Sequence, residues 1–313
     1  VVPQLAAEDK ILWVQWGPYD FVKVPGSLIQ ATIKSAWHMV PWTERDYRKF
    51  QSHGIGNVSR PIPLGVETGL WKPLYRSHFP LLMESLGFSA DKYNILMVGA
   101  NQRRKYWEEQ LEGVSLFRRT HPDVPIALYF HTTLEGECNL PLFIQEMKLE
   151  DVWRYPDQYV ISQGGIDETK MVAMVNCADV VLNCGLEGFG LIQAQAQACG
   201  VPVITLEDSP GSEIVVFGVE VPIMALDYSS PLVKSIPNPI SIASALEQIY
   251  QLKAKRSEKA VEHIRTHYSW DVVAEKWFAL IAQLMEEREK YSMYQPSLNP
   301  SLVVQSRQVV EIQ

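Results

Sequence analysis

One stretch limits the architecture more than any other: residues 179–213, DVVLNCGLEGFGLIQAQAQACGVPVITLEDSPGSE. Val180, Val181 and Leu182 make a short apolar run of the kind that becomes a buried strand. A loop with glycines at 185, 188 and 190 follows, with Glu187 between the first two. An Ala- and Gln-rich helical segment then runs to Cys199, Gly200 stops it, and a second apolar run begins at Val201. Strand, glycine loop, helix and strand make a βαβ unit, whose crossover is right-handed in nearly all proteins. Such a unit aims its glycine loop and helix N-terminus at the ligand edge of a parallel sheet. Backbone approach is unhindered there, and free amides attract phosphate. These residues by themselves imply a phosphate-bearing ligand.

The surrounding chain repeats the pattern. Residues 93–100, YNILMVGA, read as a strand, 106–120 as a helix, 126–130 as a strand ending at His131, and 140–148 as a helix. A strand at 159–162 and a helix over 167–177, capped by Asp167, lead into the strand at 180. Strands alternating with helices predict a doubly wound α/β sheet. Upstream, a strand over 11–16, a helix over 27–36, a strand over 38–41 and a capped helix starting at Thr43 look like the back end of another α/β domain. An extended piece at 58–63 and a hinge at 63–67 close it. Residues 222–239 are proline-rich and read as irregular; 241–252, 256–266 and 270–291 read as helices, and the tail from 295 as weakly anchored.

Composition excludes several classes. A net charge of −8 argues against a chain whose main partner is nucleic acid or an anionic membrane. The four cysteines show no CxxC spacing, so free thiols in a reducing cytoplasm are expected rather than a zinc site or disulfide framework. No apolar run reaches the ~18–20 residues of a membrane span. No GxGxxG follows the first strand at 93–100, which argues against a dinucleotide-dependent oxidoreductase.

The wording EGFGLIQAQAQACGVPVIT closely resembles the signature of the retaining GT-B glycosyltransferases of family 4, in which a Glu, seven residues and a second Glu recur. Glu187 fits the first position; the second falls on Gln195, a departure from the pattern. Two further passages resemble the same family: 62–73, IPLGVETGLWKP, and His267-Tyr-Ser-Trp-Asp271. The resemblance covers roughly residues 40–285. It implies a GT-B-like chain with a complete C-terminal Rossmann-like sheet and the trailing part of an N-terminal Rossmann-like domain, N-terminally incomplete. The implied divisions are 1–72 for that acceptor-side part, 73–268 for the nucleotide-sugar donor domain, 269–291 for a closing helix bracing the N-terminal domain, and 292–313 for a tail.

For the site, the resemblance implies that Lys105, with Arg104 beside it, clamps the donor diphosphate. Cations at the end of the first strand would stabilise charge developing on a leaving diphosphate. They sit at a helix start, where they oppose the macrodipole, so helix stability would not select them. Glu187 would accept from vicinal hydroxyls of the donor sugar and fix it against the diphosphate. Gly99, and the amides of Gly188, Phe189, Gly190 and Leu191, would approach phosphates or sugar. Gln195 would meet the ribose hydroxyls through its carboxamide, without charge assistance. Glu213 would lie in a loop lining the donor pocket or cap its own helix. The Gln193, Gln195 and Gln197 alternation otherwise reads as a half-exposed helix face. His131 sits at a strand end near the pocket; His263 and His267 are spaced like metal ligands but lack a third, so a solvated face is expected.

The implied reaction is metal-independent transfer of a sugar from a nucleoside-diphosphate sugar to an acceptor hydroxyl, carbohydrate or other, with retention. No cofactor, nucleic acid or transmembrane segment is expected, and peripheral membrane contact is left open. Two alternatives stand beside it: a catalytically degenerate nucleotide-sugar-binding domain, and another GT-B enzyme such as a sugar phosphorylase or nucleotide-sugar epimerase.

Overall fold

The structure, a computed structural model, describes residues 13–18, 36–228, 233–253 and 256–293. The helix expected over 27–36 falls, but for its last residue, outside these, as do residues 11 and 12 and the tail from 295.

Six parallel strands form the main sheet: β3 (Tyr93–Val98), β4 (Ile126–His131), β5 (Trp153–Arg154), β6 (Val180–Asn183), β7 (Val203–Leu206) and β8 (Gly218–Val221). Their spatial order is β5-β4-β3-β6-β7-β8, the doubly wound Rossmann order with its switch point between β3 and β6. Both faces are covered, so the strands read as near-continuous apolar runs, and alternate residues feed two cores. Ile95 and Met97 of β3 face one core with helices α3 (Trp107–Thr120), α4 (Leu140–Glu146) and α8 (Pro239–Gln251). Leu96 faces the other, with α6 (Glu168–Cys177) and α7 (Leu191–Ala198). Trp71 and Trp107 are buried in these cores.

The N-terminal part is a parallel pair, β1 (Val14–Gly17) beside β2 (His38–Pro41), extended by a parallel bridge between Met39 and Val58. Helix α1 (Glu44–Ser52) follows β2; Thr43 caps it, its hydroxyl accepting from the Asp46 amide at 3.1 Å. This pair belongs to a second Rossmann-like layer. The chain then descends through a short helix α2 (Pro80–Ser85) into β3. At the segment carrying Val66 it pairs with the start of the final helix, since the Val66 amide donates to Tyr268 O and the Trp270 amide to Val66 O.

Two secondary-structure expectations fail. Residues 158–162 are helix α5 (Gln158–Ser162), not a strand: the Asp157 carboxylate accepts from the amides of Tyr159 and Val160 and caps a turn. The strand that should have stood there is the two-residue β5 just before it. The proline-rich stretch is not irregular either. β9 (Ile223–Asp227) and β10 (Lys234–Pro237) form an antiparallel hairpin, with Pro237 last in its strand, where a missing N–H is tolerated. Two further helices are α9 (Glu258–His267) and α10 (Trp270–Met293). The chain divides into two compact units, 1–273 and 274–313. Within the second, the described residues are the later part of α10, where Leu280 and Leu284 are buried while Phe278, Ile281 and Met285 are exposed.

Candidate functional site

The crevice of an open α/β sheet lies outside the C-terminal ends of the strands at the switch point. Here that places the loop after β3, residues 99–106, against the loop after β6, residues 184–190. The two are laced together. The Leu186 amide donates to Arg104 O at 2.9 Å, and Leu186 O accepts from Arg104 Nη1 at 2.5 Å and Lys105 Nζ at 3.2 Å. From below, the buried Gln110 carboxamide donates to Lys105 O at 2.6 Å and accepts from the Cys184 amide at 2.9 Å. One side-chain amide therefore staples both loops to helix α3.

Lys105 ends a 3-10 turn, Arg103–Lys105, and the next residue, Tyr106, takes left-handed φ of 50°. A tyrosine there costs about 1–2 kcal/mol relative to an ordinary helical conformation. The bend turns Lys105 inward, where it is only 6% exposed. Its Nζ lies 2.5 Å from Glu187 Oε2, and the other carboxylate oxygen, Oε1, accepts from Asn183 Nδ2 at 3.0 Å. An ion pair this sheltered differs from a surface pair. Removing either partner leaves an uncompensated buried charge, at a cost of about 3–5 kcal/mol.

The other expected residues distribute around this pair. Arg104, half-buried, is steered by Gln102, whose Oε1 accepts from its Nε at 3.1 Å. Gly99 lies under the Lys105 stem. Gly188 is half-buried beside Glu187. The Phe189 ring is buried edge-on to Trp42 and tilted against Tyr268, so only the backbone of this residue is left to meet a ligand. Gly190 is the N-cap of α7 with φ of 100°, and a Cβ there would stand 2.9 Å from Gly211 Cα. Leu191, the first residue of the helix, is exposed. Gln195 is half-buried and makes no side-chain hydrogen bond among the described residues.

The glutamine alternation does not mark a half-exposed face. Gln193 and Gln197 are buried. Gln197 Nε2 donates to Val201 O and Phe217 O, and its Oε1 accepts from the amides of Val216 and Phe217, tying α7 to the approach to β8. Gln193 Nε2 reaches Asn183 O at 3.5 Å, while Gln193 Oε1 and Thr205 Oγ1 are buried beside Gly211 without a partner among the described residues.

Glu213 caps a helix, though not its own. Its carboxylate accepts from the amides of Glu44 at 3.0 Å and Arg45 at 2.5 Å, the first turn of α1. Arg45, buried, returns the contact through Nε to Asp208 Oδ1 at 3.0 Å. The loops after β6 and β7 and the N-terminal part thus meet beside Phe189.

His131 ends β4 with Nδ1 buried and without a hydrogen-bond partner among the described residues; burial first, then the Lys170 ammonium, hold its pKa below the ordinary value. Arg103 is exposed, its amide donating to Glu137. His263 and His267 lie on one helix face, their rings tilted at 34° with centroids 4.7 Å apart. Among the described residues no three His, Cys, Asp or Glu side chains are grouped to hold a metal ion, and no helix is long and apolar enough to cross a membrane. Sequence reasoning missed Gln110 and Asn183. Their signal was a carboxamide at a core-facing position, where an apolar residue would be ordinary.

Comparison with solved structures settles the architecture. Sucrose-phosphate synthase from Thermosynechococcus elongatus matches with a TM-score of 0.70 over 91% of this chain and 70% of its own, at 18% identity. The chain has the GT-B fold. Anabaena Alr3699/HepE in complex with UDP and glucose matches with a TM-score of 0.69 over 90% of this chain and 74% of its own, at 13% identity. Among curated proteins, a D-inositol 3-phosphate glycosyltransferase of Paenarthrobacter aurescens is 27% identical over 180 residues, 56% of this chain. The GT-B chain described here spans 42% of that relative's length. No family model matches the sequence.

Proposed function

We propose that this chain is the donor-binding part of a retaining glycosyltransferase that moves a sugar from a nucleoside diphosphate to an acceptor hydroxyl. The observation that carries the reading is the Lys105–Glu187 pair at the switch-point mouth, with Arg104 sharing the Leu186 carbonyl. A cation pair at that edge suits a pyrophosphate leaving group, because its charge grows as the glycosidic bond breaks. Lys105 would turn from the carboxylate and carbonyl to the β-phosphate, and Arg104 would join it. Glu187, released on one oxygen, would accept from sugar hydroxyls and hold the anomeric carbon against the acceptor. Amides of residues 188–191 at the start of α7 would add partial positive charge. Gln195 would bond the ribose through oxygen and nitrogen of its carboxamide. With side chains and amides neutralising the diphosphate, the reaction would run without a metal ion.

The relatives support this reading by what their names state: a D-inositol 3-phosphate glycosyltransferase, and Alr3699/HepE in complex with UDP and glucose. In the same proposal, residues 1–72 belong to the acceptor side and 73–268 to the donor domain, residues 269–291 close back toward the N-terminal domain, and the protein works in the cytoplasm.

Thermal-shift measurement against UDP, GDP, ADP and their glucose esters, followed by turnover with the best donor, tests it. Lys105→Met is expected to weaken nucleoside-diphosphate binding about 10- to 100-fold, the worth of a charged hydrogen bond. Glu187→Gln is expected to spare the diphosphate and lower turnover. Binding and turnover unchanged in both variants would refute the assignment.

A further inference from the structure

We infer that Asn183 is a positioning residue that aims Glu187 at the donor sugar; the inference rests on the glycosyl-transfer reading above. Asn183 is the last residue of β6, next to β3 at the switch point, and is 4% exposed. Each polar atom of its carboxamide is spent inside the mouth. Oδ1 accepts from the Gly185 amide at 3.2 Å, and Nδ2 donates to Glu187 Oε1 at 3.0 Å and to Val98 O at 3.4 Å. Glu187 is therefore gripped from two sides, by Asn183 on Oε1 and by Lys105 on Oε2.

The two grips differ in kind. Lys105 stands on a loop and carries a charge that a pyrophosphate can claim. Asn183 is neutral, sits on a core strand, and is anchored by Val98 O at the end of the neighbouring strand. When Lys105 turns to phosphate, the Asn183 bond still fixes the plane of the carboxylate. An ionised carboxylate has about four lone-pair positions, so with one held by Asn183 the rest can meet vicinal hydroxyls. The chemistry also selects the residue type. An aspartate here would set two carboxylates within hydrogen-bond reach, and one would have to keep a proton. An apolar residue would leave Oε1 without a donor and the carboxylate free to rotate.

The test uses the full chain and two readouts for each variant: affinity for the bare nucleoside diphosphate, and affinity and turnover for its sugar ester. Asn183→Leu is expected to lower kcat with the sugar ester about tenfold or more, the worth of one hydrogen bond to a charged group, while affinity for the bare diphosphate moves less than about twofold. In the Asn183→Leu/Glu187→Gln double variant the losses should fall well short of additive, as for residues acting as one unit. Asn183→Asp is expected to regain turnover as pH falls from 8 to 6, because the shared proton restores a donor to Glu187; the wild type should not gain in this way. An Asn183→Asp profile parallel to the wild type, or an Asn183→Leu variant that loses the bare diphosphate as strongly as the sugar ester, would overturn the inference and leave Asn183 as a loop staple. If the wild-type chain neither binds nor turns over any of these sugar esters, the glycosyl-transfer reading itself is refuted and the inference falls with it.

Discussion

The carboxylate of Glu213 accepts from the backbone amide of Arg45 at 2.5 Å, joining residues 168 positions apart. With the Glu44 amide at 3.0 Å on its other oxygen, it supplies from another loop a charged cap to helix α1, beside the Thr43 cap in the chain itself. Replacing Glu213 by Ala is expected to destabilise the protein by about 1–2 kcal/mol, as for loss of a helix cap. Hydrogen exchange should speed at the amides of Glu44 and Arg45 before it does in β3. Glutamine, which keeps an acceptor, should recover part of the loss.

Two glycines of the signature loop are held there for different reasons. At Gly190 the backbone is left-handed and a Cβ would press on Gly211 Cα; at Gly185 a Cβ would stand 3.0 Å from Lys105 Cα and Cδ. Gly190→Ala therefore combines backbone strain with a clash and is expected to cost about 1–3 kcal/mol in denaturant melts. Gly185→Ala is expected to cost less in stability and more in diphosphate affinity, because relief comes from displacing Lys105.

How much of this was legible can be judged from the same loop. The run 180–205 announces strand, turn, helix and strand because periodicity, glycine placement and the stop at Gly200 agree. Glu187 and Lys105 stood out as charges at strand ends. Asn183 and Gln110 did not, since a carboxamide's worth depends on which distant backbone groups face it. Gln193 and Gln197 misled for the same reason: alternation along a helix says nothing of a neighbour such as Phe217 folding over it. Residues 159–162 carry β-branched side chains, yet Tyr159 and Val160 are exposed and the Asp157 cap prevails over local strand preference. The hairpin of β9 and β10 escaped because its outer residues, such as Met224 and Leu226, are exposed and the alternation that marks a strand is blurred.

Acid sensitivity should trace in part to His131. Its folded-state pKa lies below the ordinary 6.5, so below that pH the unfolded chain takes up the proton more readily than the native one. Stability is then lost as pH falls from about 6.5, and not on the alkaline side. His131→Asn is expected to show a smaller drop in melting temperature between pH 7.5 and pH 5 than the wild type. His263, lowered by burial, then by His267 and Lys259, adds a drop of the same sign, so the curve should flatten without becoming level.

Thiol chemistry offers a separate check on the core. Cys177, Cys184 and Cys199 are buried, and burial raises all three, to about 11 for Cys177 and about 12 for Cys199. Only Cys138 is partly accessible among the four. Iodoacetamide at pH 8 followed by mass spectrometry should label Cys138 in the native chain and the other three only after denaturation. Rapid native labelling of Cys184 would mean that the loop bearing Glu187 opens from the sheet.

Leu186 gives one peptide oxygen to both the Arg104 guanidinium and the Lys105 ammonium. That oxygen lets two like charges sit side by side without prising the loop after β3 from the loop after β6. It also sets an entry threshold: an anion that recruits both side chains must outcompete a fixed carbonyl dipole and a carboxylate at once. On the proposed reading, a weak monoanion would gain little by that exchange, whereas a pyrophosphate would reach both cations together, so the resting geometry would filter callers by their charge before any sugar is examined.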